Sequence, residues 1–440
     1  MIAQPLFAVL LIGAIVLFVR NARRIARNIH LGKPEARNDR KSERWALMTR
    51  VALGQSKMVV RPVAGVLHII VYAGFVIINI EVLEILIDGL FGTHRVFSFL
   101  GGFYDFLIGS FEWLALGVWV ACAVFLVRRN IIKLKRFVMK ELDGWPRTDA
   151  NLILVTEILL MSAFLLMNTA DLVLQGRGEA HYIEAGAYPV SGWLAPKLDG
   201  WSNGSLVLLE RVCWWFHIIG ILAFLNYLVV SKHLHILLAF PNVWYSKLQP
   251  KTEMADMPRI GGEVKSMMDP SIPPPELPQP RTVAGVEMTE RFGAKDVFDL
   301  SWKSLMDAYS CTECGRCTSE CPANITGKML SPRKIMMDTR DRLEEVGRTV
   351  DAKGKWEDDG KSLHTRITEE ELWACTTCNA CTQACPVNID PVNIIVEMRR
   401  YLVMEESKTR PALTGMFNNV ENNGAPWAFG PDKRLDWTQQ

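Results

Sequence analysis

Five long apolar runs constrain this chain more than any other feature. They cover residues 3–19, 62–88, 103–127, 150–174 and 204–231. Each is apolar enough and long enough to cross ~30 Å of hydrocarbon. Inside a bilayer a segment must satisfy its own backbone hydrogen bonds, so the runs predict five transmembrane helices. The fifth is expected to continue as helix to about residue 240. The first is short and is followed at once by RNARRIAR. It lacks a basic leading region and an A-x-A cleavage site, which reads as a retained helix rather than a signal peptide.

Lysine and arginine predict the orientation. Residues 20–61 carry twelve of them and residues 128–147 carry seven, whereas the loops on the opposite side hold only Arg95, Arg177 and Lys197. The excess places the N-terminus outside and everything after residue 246 in the cytoplasm, in a bacterial or archaeal cytoplasmic membrane. A net charge of +2 offers no field for nucleic acid. The chain divides by composition into a membrane domain (1–246), a Pro-rich linker (247–300), a cysteine-bearing domain (301–410) and a tail (411–440).

Eight of the ten cysteines lie between 311 and 385. Cys122 and Cys213 stand alone in apolar runs and read as buried small hydrophobes. The eight fall into two copies of one pattern, Cys311-x-x-Cys314-x-x-Cys317-x-x-x-Cys321-Pro322 and Cys375-x-x-Cys378-x-x-Cys381-x-x-x-Cys385-Pro386. CxxCxxCxxxCP twice is the two-cluster ferredoxin signature. Three thiolates wrap one cube, and the cysteine before proline reaches the other. One 4Fe–4S cluster is therefore expected on Cys311, Cys314, Cys317 and Cys385, and a second on Cys375, Cys378, Cys381 and Cys321. Zinc sites are the weaker alternative. Ser331-Pro332 and Asp390-Pro391 each combine an N-cap with proline at the first helical position. The expected fold class is mainly α: a five-helix transmembrane bundle plus a cytoplasmic, α-helical ferredoxin-type domain. Residues 295–410 resemble the small iron–sulfur subunit of heterodisulfide reductases and related subunits of glycerol-3-phosphate and succinate dehydrogenases.

Histidine inside a membrane helix is costly unless it has a role. His68 lies in the second run and His217 in the fifth, with His233 and His235 near the end of the fifth. If that helix is continuous, His217 and His235 are five full turns apart on one face, ~27 Å along the axis. His233 faces elsewhere, and His233 and His235 also suit an interfacial role capping carbonyls. His68 and His217 are both expected near mid-membrane, where they could clasp one haem iron. Five helices with histidines at these positions resemble the cytochrome b gamma subunit of respiratory nitrate reductases over residues 1–240. The resemblance implies haem b on His68 and His217, and a second haem on His235. The remaining ligand position falls on Met58, where the family has histidine, and methionine can ligate haem iron. Glu81, Glu84, Glu112 and Glu157 also lie in apolar runs, where a proton or quinone role and a paired structural role are both open.

Residues 268–281 (MDPSIPPPELPQPR) carry six prolines and predict an extended spacer. The segment 418–437 (NNVENNGAPWAFGPDKRLDW) resembles the stretch that precedes a Cys-Cys-Gly-rich catalytic domain in fused relatives. That resemblance implies a separate Cys-rich iron–sulfur subunit as partner, docked by this tail; an ordinary surface tail is the alternative. No nucleophile constellation or nucleotide-binding glycine loop is present. The chain reads as a respiratory electron-transfer subunit working between a cytoplasmic redox partner and quinone, with two 4Fe–4S clusters and one or two haems b. The rival readings are a quinol-oxidising subunit driving disulfide reduction on the Cys-rich partner, and a membrane redox sensor.

Overall fold

The structure is a computed structural model that describes residues 3–276 and 278–439. Leu277, inside the proline-rich stretch, lies outside the described residues. Five helices are long and apolar enough to cross a membrane: α1 (Ala3–Ile29), α2 (Pro62–Phe91), α3 (Gly102–Asn130), α4 (Trp145–Gly176) and α5 (Asn203–Leu228). Consecutive helices α2 to α5 pack side by side, and α1 closes the ring between α2 and α5. Apolar side chains such as Val9, Ile12 and Val16 point outward, exposed by 62–68%. On a protein in water that surface would be a liability; against lipid tails it is expected.

The first helix runs ten residues past its apolar part. Its basic end is held by the cysteine-bearing domain: Arg24 and Arg27 pair with Asp351. Asn28, fully buried, donates to the Tyr309 hydroxyl (2.9 Å). Ile25, Ile29 and Leu31 share a core with Leu305, Ile335, Leu343 and Met398. One apolar core therefore spans the junction between bundle and domain.

The second part is helical, as the caps predict. Ser331 caps Pro332–Lys353 through its hydroxyl, with Pro332 at the first position and Gly354 in the left-handed conformation beyond the end. Asp390 caps Pro391–Met404 by accepting from the amides of Val392 and Asn393. The linker departs from expectation. Residues Pro258–Met268 are helical, and Arg281–Val283 pairs antiparallel with Val286–Met288. Val283, Val297, Phe298 and Leu300 are buried in the shared core. Residues 281–300 are thus part of the folded domain rather than a spacer, because their apolar side chains have a core to enter.

The expected continuation of the fifth helix to about 240 is not what forms. The helix α5 ends at Leu228, and a 3₁₀ turn (Lys232–Leu234) precedes a separate helix, His235–Trp244. Ser231 caps the turn through the His233 amide. Asp149 of α4 accepts from the Lys232 amide (3.1 Å) and binds the Tyr227 hydroxyl. Those tertiary contacts hold the break.

Candidate functional site

The two cysteine loops are built alike. Each CxxCxxC stretch turns through two left-handed residues at equivalent positions: Glu313 (φ 55°) and Gly315 (φ 71°) in the first, Thr377 (φ 54°) and Asn379 (φ 58°) in the second. Asparagine tolerates that conformation where the first loop uses glycine. These kinks curl three cysteines around a hollow.

The first hollow is lined by Cys311, Cys314, Cys317 and Cys385, together with Arg316 and Arg333. The second is lined by Cys321, Cys375, Cys378 and Cys381. The fold therefore brings the cysteine before each proline to the other motif's triad. Backbone amides already point at sulfur: Thr377 donates to Cys375 (3.4 Å) and Ile389 to Cys385 (3.3 Å). Among the described residues, no three His, Cys, Asp or Glu converge closely enough to share one metal ion. Four cysteines line each hollow, the number of thiolates that a 4Fe–4S cube takes. Burial pushes the Cys311 and Cys381 thiols up to about 12 and Cys385 to about 11. A bound cluster supplies the positive iron that such sulfurs need to stay deprotonated.

The two hollows differ in setting. Each has two buried cysteines, Cys311 and Cys385 in the first and Cys321 and Cys381 in the second, but Cys378 of the second is exposed. The first hollow faces the bundle. Arg61, just before α2, donates to Ser319 (2.7 Å) and Glu320 (2.9 Å). Arg333, fully buried, reaches the α3–α4 connection at Glu141 (2.7 Å) and the Arg136 carbonyl (2.6 Å). Glu313 is clasped between Lys232 of the bundle and Arg340 (2.8 Å). Lys57 donates to the Cys385 carbonyl (3.1 Å) and to Asn388 (2.6 Å). Burial, reinforced by Lys251, lowers the Lys57 amine to about 8.

His68 lies in the first turns of α2, while His233 lies in the 3₁₀ turn after α5 and His235 opens the helix that follows it. The His233 and His235 rings are 5.6 Å apart. His217 instead packs deeper in the bundle, beside Phe164, with Nδ1 donating to the Leu160 carbonyl (2.9 Å). The one-face stacking of His217 and His235 lapses with the break after Leu228. His68 is only six residues from the Pro62 start of α2, so it sits near the cluster-side end and not at mid-depth. The Nδ1 atoms of His68 and His233 are buried without a partner, and His235 Nδ1 donates to the Lys232 carbonyl (3.1 Å). A histidine held that way presents its other nitrogen as a ligand.

Met58 is not on the second helix. It lies in the turn before Pro62, and its carbonyl presses on Gly65, where any Cβ would sit 2.7 Å away. That carbonyl also accepts from Arg316 (3.4 Å). The turn folds back onto the helix, so Met58 does not continue the His68 face as a second-haem ligand would require.

A buried polar network at the other end of the bundle was only half legible. Glu81, Glu84 and Glu112 stand out in the sequence, but their organiser is Arg95. It binds Asp171 (2.7 Å), Asn168 (2.8 Å) and Glu81 (3.2 Å). Glu84 accepts from Tyr104 and the Phe97 amide, and Glu112 from the amides of Val190 and Ser191. An arginine buried in an apolar bundle needs such partners, which favours the paired structural reading for these three. Among the described residues, Glu157 has no such partner.

Residues 310–389 match the 4Fe-4S dicluster domain family. The chain is 28% identical over 99% of its length to the "probable iron-sulfur-binding oxidoreductase FadF" of Bacillus subtilis, covering 60% of that protein. It is 27% identical over 92% of its length to the EtfAB:quinone oxidoreductase of Syntrophomonas wolfei, covering 55% of it. The chain thus spans less than two thirds of the length of either relative. Over a shorter stretch it also matches one chain of the ferredoxin:CoB-CoM heterodisulfide reductase of Methanosarcina mazei, 32% identical over 22% of this chain and 48% of that one. No solved structure matches. By name these relatives are an iron–sulfur-binding oxidoreductase, a quinone oxidoreductase and a heterodisulfide reductase subunit, and this chain carries a 4Fe–4S domain.

Proposed function

We propose that this chain is a membrane electron-transfer subunit that connects a cytoplasmic redox partner to the quinone pool through two 4Fe–4S clusters and haem b. The observation that carries this reading is the alignment of three candidate cofactor sites. The hollow with exposed Cys378 lies toward solvent, the hollow with Cys385 is tied to the bundle side through Lys57, Arg61 and Arg333, and His68, His233 and His235 lie at that same end of α2 and α5. The cysteines hold the clusters in the crossed sets described above. His68, with His233 or His235 opposite, holds haem iron, and the unpartnered buried nitrogens fit that role. When bound, these groups carry single electrons, while the protein sets their spacing and surroundings. His217, held by Leu160, remains as a ligand or quinone contact deeper in the membrane.

The excess of lysine and arginine at the cluster-side end supports a cytoplasmic location for the cluster domain. Likeness to an EtfAB:quinone oxidoreductase supports quinone as one terminus and an EtfAB-like protein as the other. Likeness to a heterodisulfide reductase supports a Cys-rich iron–sulfur partner. The tail offers such a protein exposed aromatics, Trp427, Phe429 and Trp437, at 47–74% exposure.

The test is the cofactor content of the chain purified from membranes. About eight iron and eight sulfide in clusters are expected, plus haem that disappears in His68→Ala. Haem content equal to wild type in His68→Ala, His235→Ala and His233→Ala would remove haem from this site.

A further inference from the structure

Among the described residues, two cations at the first hollow have no carboxylate partner. Arg316 is 5% exposed and lines the hollow between Cys314 and Cys317. Its guanidinium donates to two backbone carbonyls, those of Lys57 (2.8 Å) and Met58 (3.4 Å). Lys57, half-buried, bonds the Cys385 carbonyl and the Asn388 side-chain oxygen. Among the described residues, no carboxylate pairs with either. Both feel the Cys385 sulfur, and Lys57 and Arg316 each have a further cation nearby, Lys251 and Arg61 respectively.

Neighbouring acids are committed elsewhere. Glu313 is held by Lys232 and Arg340, Glu320 by Arg61, and Glu141 by Arg333. Burying an unpaired cation is expensive, and gathering like charges costs more. An anion in the hollow offsets both. A cube held by four thiolates is such an anion, and it gains a further negative charge each time it accepts an electron. Fixed positive charge favours the reduced form and raises the reduction potential. Burial acts in the opposite direction. At the second motif Arg399, half-buried, bonds the Leu372 carbonyl (3.0 Å) and the Cys375 carbonyl.

We propose that Arg316 and Lys57 are the built-in counter-charges of the membrane-side cluster, raising its reduction potential so that a cluster packed against the bundle can still accept an electron. They are positioning residues that tune the site without touching the iron. The inference rests on the crossed cluster assignment but not on haem or quinone.

The experiment is a redox titration of the purified full chain, followed by electron paramagnetic resonance. Cys321→Ser, which damages the Cys378 cluster, assigns the two signals. In Arg316→Gln and in Lys57→Gln the potential of the membrane-side cluster should fall while the other stays put. Arg316→Lys should recover most of the loss, and Arg399→Gln should move only the outer cluster. Should Arg316→Gln fail to assemble the cluster, Lys57→Gln and Arg316→Lys carry the comparison. A membrane-side potential unmoved in Lys57→Gln and Arg316→Gln, or equal movement of both clusters, overturns the assignment. Loss of the crossed pattern in Cys321→Ser would instead overturn the cluster reading itself.

Discussion

Replacing Glu313 by glutamine tests the seam between bundle and cluster domain. The Glu313 side chain is 3% exposed, and it faces Lys232 at 10% and Arg340 at 20% exposure. Glutamine keeps the shape and removes the charge, leaving two largely buried cations facing a neutral amide. Breaking a buried ion pair on one side costs about 3–5 kcal/mol. With a urea dependence of about 2 kcal/mol per molar, that is a midpoint shift of about 1.5–2.5 M. The assay is the urea concentration at which cluster absorbance bleaches in detergent-solubilised protein. Asp341→Asn is the control. Asp341 also pairs with Arg340 (3.2 Å), but its side chain is 48% exposed, so the expected cost is about 0–1 kcal/mol. The pH dependence follows from the same contacts. Burial pushes the Glu313 carboxyl up, yet Lys232 and Arg340 outweigh it and hold the group below its ordinary 4.5. A depressed carboxylate stabilises above the unfolded value and loses that contribution as pH falls through the folded one. The gap between wild type and Glu313→Gln should therefore persist at pH 7 and pH 5. Equal midpoints for Glu313→Gln and Asp341→Asn would refute the argument that this trio fastens the two parts.

Three other outcomes follow. Cys321→Ser should impair the cluster of Cys375, Cys378 and Cys381 by iron analysis and spectroscopy, while the Cys311 cluster survives. His235→Ala should reduce haem content together with His68→Ala, measured as pyridine haemochrome, whereas His217→Ala should leave that haem in place. Deleting residues 418–440 should release a co-purifying cytoplasmic partner with cluster and haem content unchanged, because the tail aromatics are exposed rather than packed on the domain.

Local spacing made the cysteine half readable. The turns at Glu313, Gly315, Thr377 and Asn379 and the proline-initiated helices are encoded within a few residues of each sulfur. The five helices were equally plain, since twenty-odd apolar residues have few alternatives. Only a continuous helical phase across residues 229–234 would stack His217 and His235 on one face, and the helix does not continue there. The break there depends on Asp149, about 80 residues away, holding Tyr227 and Lys232. Arg95 was counted only as a loop charge, because its acceptors Glu81, Asn168 and Asp171 converge only in the folded bundle. Residues 281–300 looked like spacer because their apolar side chains are few and scattered. They find a core only where α1 descends to meet the cluster domain.

The most direct test of the electron path is reoxidation by quinone. The purified chain, in lipid vesicles and fully reduced without oxygen, is mixed with a short-chain quinone while cluster absorbance near 420 nm is followed. The account predicts rapid cluster reoxidation in the wild type and reoxidation slowed at least tenfold in His68→Ala, with both clusters still present. Reoxidation at the same rate in His68→Ala, or none in the wild type, would contradict a path from the clusters through the His68 group to quinone.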